Sequence, residues 1–151
     1  MSEIHGAEIS IEVFSHATEE PSKVLKALFS LIPQNYRSRL EVKEEAVRGY
    51  FKNPIIIYRA KLTKRQEVDE TLSYIAKDEV EDDRVRLGKE IDRRVDDSGK
   101  LFLRLDKQAA YAGAISVKQD DDTIKLVVRF SGYPARKEKV IEICRTLGLI
   151  R

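Results

Sequence analysis

Cysteine and histidine are nearly missing: Cys144, His5 and His16 are all that the 151 residues contain. A lone cysteine excludes an internal disulfide, so a reducing cytoplasm is the expected compartment. Cys144 sits among apolar residues with no histidine near it in sequence, which reads as a buried, inert thiol. The sequence shows no Cys/His metal spacing, no glycine-rich phosphate loop and no serine–histidine–acid set. No catalytic residue, metal or cofactor is therefore expected, and the protein does not read as an enzyme. There is no basic-plus-apolar leader, and no apolar run approaches the length of a membrane span. Repeats, low-complexity tracts and linkers are lacking too. What remains is a single domain over residues 1–151, long enough for a proper core.

What the chain has in quantity is charge, at 36% of residues, alongside one methionine and few Asn or Gln. That bias suits surface ion-pair networks and a hot habitat. The net charge of +2 hides segregation: residues 1–30 carry −3, 31–65 carry +6, 66–99 carry −6 and 100–151 carry +5. Such blocks can build a positive face without a high isoelectric point. The alternative is that acidic helices and basic strands pair across the fold.

Apolar alternation predicts a strand over residues 8–16, with Ile9, Ile11 and Val13 on one face. Thr18 to Pro21 reads as a helix start, and Val24, Leu25, Leu28, Phe29 and Ile32 recur at helical spacing until Pro33. Residues 40–46 and 55–62 form a hairpin through the turn RGYFKNP, residues 48–54. Helices follow over 64–77, capped by Thr63, and over 79–94, with Val80, Leu87 and Ile91 inward. The run DEVEDD, residues 78–83, reads as a solvated, partner-facing acidic helix start, not a metal site. Residues 114–118 and 123–130 read as strands joined by an acidic hairpin turn. Ile124, Leu126, Val128 and Phe130 face inward, opposite Lys125, Val127 and Arg129. A last helix starts near Pro134 and ends at Gly148. The fold class is α+β: a mixed, mostly antiparallel sheet with helices packed on one face.

Leu101 to Gly113, LFLRLDKQAAYAG, carries the most information. Leucines alternate with Phe102 and Arg104, then Asp106 offers an N-cap to a short helix that Gly113 can end. Arg104, Lys107 and Gln108 form a polar platform where amides and cations could hold a phosphate. In the competing reading Asp106 caps the helix, Arg104 pairs with it and Tyr111 packs inward. The second candidate is the hairpin tip, with Arg48, Tyr50, Phe51 and Lys52. Cations hold an RNA backbone there while rings stack on unpaired bases, one ring in and one out. Arg37 and Arg39 open the same basic block, and Arg59 and Lys61 extend it down the hairpin.

The run RLDKQAAYAG resembles an archaeal family of RNA-binding proteins, predicted to be exosome subunits. FSHATEE at residues 14–20 and GYFKNPI at 49–55 fit the same family, and the likeness covers about Ile9 to Phe130. The resemblance implies a ribosomal-protein-like layout and partners in RNA, with the exosome or ribosomal proteins nearby, and brings no catalytic motif. The expected function is a non-catalytic RNA-binding accessory protein in RNA processing or translation, with no membrane role. The alternative is a protein-interaction module or homodimeric adaptor without RNA contact, and a ribonuclease ranks third.

Overall fold

The computed structural model describes residues 4–49, 51, 53–118, 120, 122–132 and 137–151. In chain order the elements are β1 (His5–Ser15), α1 (Pro21–Ser30), α2 (Gln34–Arg37), β2 (Val42–Arg48), β3 (Pro54–Leu62), α3 (Arg65–Asp78) and α4 (Glu81–Arg94). Then come β4 (Lys100–Asp106), α5 (Lys107–Tyr111), β5 (Thr123–Ser131) and α6 (Lys137–Leu147).

β1 is the middle of a five-stranded sheet in the order β2-β3-β1-β5-β4, and all four ladders are antiparallel. The alternation of the sequence decides which side is covered. Ile9, Ile11 and Val13 of β1 lie level with Leu62, Ala60 and Tyr58 of β3. On the other flank Ile124, Leu126 and Val128 of β5 meet Leu105, Leu103 and Leu101 of β4. All of these but Ala60, which is itself buried, join the buried stripes of α1, α3, α4 and α6 in one core. The helices therefore cover one face of the sheet, and the other is left to water. Gly6 shows how closely α3 approaches β1: a Cβ there would lie 2.6 Å from Val68 Cγ1. A bulge between Gly6 and Glu8 turns this glycine toward the helix.

Asp106 caps α5 as its sequence suggests, accepting the Gln108 amide at 3.0 Å. Gly113 ends the turn at φ 85°, a left-handed conformation that side chains other than glycine's resist. Several expectations are corrected. Among the described residues, 114–118 form no hairpin with β5. Ile115 makes a parallel bridge to Glu79, and Val117 an antiparallel one to Leu105 along the outer edge of β4. β5 takes β4 as its neighbour because their leucines, isoleucine and valine match in register on the core face. Val80 precedes α4 and is exposed, whereas Glu79 and Asp83 of the acidic run turn inward. The first residue before α3 is Lys64, and Thr63 does not cap it. Tyr111 lies at the surface beneath the ammonium groups of Lys23 and Lys26, 5.8 and 4.8 Å from its ring, instead of packing inward. The expected helix start at Pro134 falls outside the described residues.

Candidate nucleic-acid interface

The open face of the sheet is built by the residues between the core positions. One row crosses all five strands. From β2 to β4 it reads Lys43, Arg59, Glu12, Lys125, Arg104. Four interstrand steps of about 4.8 Å make this row roughly 19 Å long. Apolar side chains lie on both sides of it. One flank holds Phe102 opposite Val127, and the other Phe14 opposite Ile57. The Lys125 ammonium stands over the Phe14 ring at 5.6 Å. Lys61, Lys100 and Arg129 add positive charge on the same face. Against these, Glu12 and Glu45 both bind Arg59, at 2.9 and 2.7 Å. Hydrogen bonds to Glu45 and then Glu12 raise the Arg59 guanidinium above its ordinary value.

At the β4 margin the face dips into a cleft of about 340 Å³ lined by Arg93, Arg94, Phe102, Arg104, Lys125 and Val127 among others. Phe102 is 40% exposed there. Four cations around a half-exposed ring are the groups an unpaired nucleotide needs: charge for phosphate, a flat apolar surface for the base.

The positions expected from sequence divide. Arg104 stands on the open face and donates to the Asp120 carbonyl at 3.4 Å. Arg48 and Phe51 are exposed at the end of the β2–β3 hairpin. Phe51 is 88% exposed at φ 61°. Tyr50 and Lys52 lie outside the described residues. Gln108 is exposed beside α1. Arg39 lies over the Tyr36 ring at 5.1 Å. Arg37 is half-buried and turned toward the helices, donating to the Ile32 carbonyl and the Tyr74 hydroxyl.

Lys107 is the clear departure. It is 3% exposed, and its ammonium meets the Phe14 carbonyl at 3.0 Å, Glu19 at 2.9 Å and Asp122 at 2.6 Å. A buried ammonium needs opposite charge and oxygen acceptors, and all of its donors are spent on them. Its place is inside the fold and not on a phosphate platform. His16, Glu19 and Asp122 also bring ligand atoms within 4.8 Å of one another. Lys107 already bonds two of those three, which supplies the positive charge that their carboxylates require.

Phe102, Lys125, Arg93 and Arg94 line the candidate site, though no motif marks them in the sequence. A signal was present in the strand parity, which sets Phe102 and Arg104 against the leucines. It became specific only with the β4–β5 register that puts Arg104 opposite Lys125.

The family model described as RNA binding matches residues 8–130. A Pyrococcus abyssi protein named as an RNA-binding protein is 33% identical over 138 residues, covering 91% of this chain and 90% of its own. An uncharacterized protein of Methanocaldococcus jannaschii is 34% identical over 140 residues, 89% of this chain and 93% of its own. Among solved structures, a protein from Archaeoglobus fulgidus superposes with a TM-score of 0.79 at 28% identity, covering 94% of this chain and 99% of that one. A DUF54 protein from Methanothermobacter thermautotrophicus gives 0.78 at 30% identity, with 96% and 98% covered. Two regions of the sequence, the end of β1 with its FSHATEE stretch and the β4–α5 junction, thus meet at Lys107 within the matched span, and the chain belongs to this RNA-binding family.

Proposed function

We propose that the protein binds unpaired RNA on the open face of its sheet and performs no chemistry on it. The observation that carries this reading is the pairing of Arg104 with Lys125 across β4 and β5, beside Phe102 and Val127. A duplex hides its base faces, so exposed rings next to cations favour single-stranded or looped RNA. The hairpin tip with Arg48 and Phe51 lies at the end of the sheet where β1 finishes, since Ser15 is level with Ile56. Arg48 shares the parity of Val42 and so lies on the helix side of β2, at the rim of the open face and not on it. Such a protein acts as an accessory in RNA processing or translation, and the exosome or ribosomal proteins are the partners proposed for it. The name of the Pyrococcus abyssi relative supports the RNA part of this reading.

Fluorescence anisotropy with an unstructured RNA, titrated at several salt concentrations, tests it. Neutralising both Arg104 and Lys125 to Gln is expected to weaken binding about tenfold. It should also flatten the log–log salt slope by roughly 0.7 for each phosphate that is no longer neutralised. Affinity and slope left unchanged by the double variant would remove the open face from the interface.

A further inference from the structure

The row of cations does not run off the sheet at both ends alike. At β2 it meets an open edge strand. At β4 the outer edge is paired: Val95 bridges Leu101, Val117 bridges Leu105, and the Lys118 amide donates to the Arg104 carbonyl at 3.0 Å. Between those two attachments lies Phe102, with Arg93 and Arg94 of α4 brought round the edge to face it. A strand crossing the face from β2 would reach this cleft at the far margin of the sheet.

The charge of the cleft is what singles it out. Its lining side chains include Arg93, Arg94, Arg104 and Lys125 and, among the described residues, no carboxylate. Arg93 is 77% exposed, and Glu90 approaches it only to 4.0 Å. Arg94 is held by Glu90 at 3.2 Å, which fixes one guanidinium beside the ring. A phosphodiester brings one negative charge. A terminal phosphomonoester brings about 1.5 to 2 at neutral pH, with three oxygens that guanidinium forks match. A cleft at the margin of the sheet with several cations is matched to the second group.

We infer that the cleft beside Phe102 receives the phosphorylated end of an RNA strand, with the terminal base stacked on Phe102 and the phosphomonoester between Arg93, Arg94 and Arg104. This rests on the RNA-binding function proposed above and makes it specific. The end can be 5′ or 3′, since both offer the same phosphate chemistry.

The test compares one unstructured 12-nucleotide RNA, labelled internally, in three forms: 5′-phosphate, 3′-phosphate and hydroxyl at both ends. Anisotropy on the whole protein is expected to show one phosphorylated form bound at least fivefold tighter than the hydroxyl form, which also names the end. In R93E that ratio should collapse to about one. Free nucleoside monophosphate of the matching kind should compete with the phosphorylated RNA in native protein. If R93E lowers the thermal midpoint, R93Q replaces it, because the side chain is exposed and pairs weakly. Equal binding of all three forms overturns the inference and leaves the RNA face standing. A phosphate preference undiminished in both Arg93 variants overturns the assignment to this cleft. Failure of every RNA form to bind overturns the RNA-binding function itself.

Discussion

The ammonium of Lys107 lies 2.9 Å from the carboxylate of Glu19, joining residues 88 positions apart. The same carboxylate accepts the His16 amide at 3.0 Å, so it orders the turn between β1 and α1 as well. Lys107 opens α5, directly after the Asp106 cap. One buried cation therefore fastens the start of α1 to the end of β4.

Lys107→Met is expected to destabilise the protein by about 3 kcal/mol, because removal of one partner strands the other in a poorly solvated site. Asp122 is half-exposed and regains water, which keeps the loss from being larger. For a chain of this size that corresponds to a thermal midpoint lower by roughly 6–12 °C. Urea unfolding measures it, and a loss below about 1 kcal/mol would show that the contact is not structural.

Glu79 supplies the second prediction. It is 4% exposed, and neither carboxylate oxygen accepts a hydrogen bond. Burial pushes its carboxyl up to about 8, against the opposing pull of Arg84 and with a further push from Asp83 and Glu81. The folded state thus holds a proton that the unfolded chain releases near 4.5. Between those two values the native form binds more protons than the unfolded form, so stability falls as pH rises from about 4.5 to about 8. Glu79→Gln removes that dependence. The variant is expected to gain a few kcal/mol over the native protein at about pH 9 and almost nothing at about pH 4. Denaturation series of both proteins across that range read the difference, and parallel curves would defeat the argument.

How much of this was legible in the sequence depends on the range of each contact. The leucines of β4 and the isoleucines of β1 declare their buried face by alternation alone, and Asp106 declares the start of α5. These are local facts. Lys107 could not be placed that way, since its burial depends on a carboxylate 88 residues distant and on a backbone carbonyl at Phe14. The segment 114–118 carries a strand's pattern, yet β5 outcompetes it for the inner edge of β4, as its longer apolar register buries more surface. The cleft at Phe102 was hidden for the same reason. Its cations come from α4, β4 and β5, and only the register and the chain turn at Val95 bring them together.

Phe51 allows two readouts of opposite sign. It is an exposed aromatic at φ 61°, a conformation that costs a side chain of this type about 1–2 kcal/mol. Glycine takes that conformation freely but loses more chain entropy on folding, about 0.5–1 kcal/mol. Phe51→Gly should therefore leave stability unchanged or raise it by up to about 1.5 kcal/mol. If the ring stacks on a base, the same change weakens RNA binding by about 1–3 kcal/mol. Stability and affinity measured on one preparation separate the two effects. A variant that unfolds early but binds RNA normally would give Phe51 a structural role only.

Glu12 is the single acid in the row that crosses the sheet, between Arg59 on one side and Lys125 on the other. It holds Arg59 by the Nε proton, while Glu45 holds the other arm of the guanidinium. A phosphate arriving on this row must face a negative charge at its centre and an arginine already held by two carboxylates. Glu12→Gln removes the charge, keeps the shape and leaves Arg59 with one clamp instead of two. RNA affinity is expected to rise about threefold to fivefold at low salt, with the gain shrinking as ionic strength screens the face. The gain should come largely through faster association, because the altered charge acts on the approaching strand before contact. Stopped-flow binding at low and high salt distinguishes this from a change in the fold. An E12Q protein that binds RNA no faster and no tighter at low salt would place the path of the strand away from the centre of the sheet.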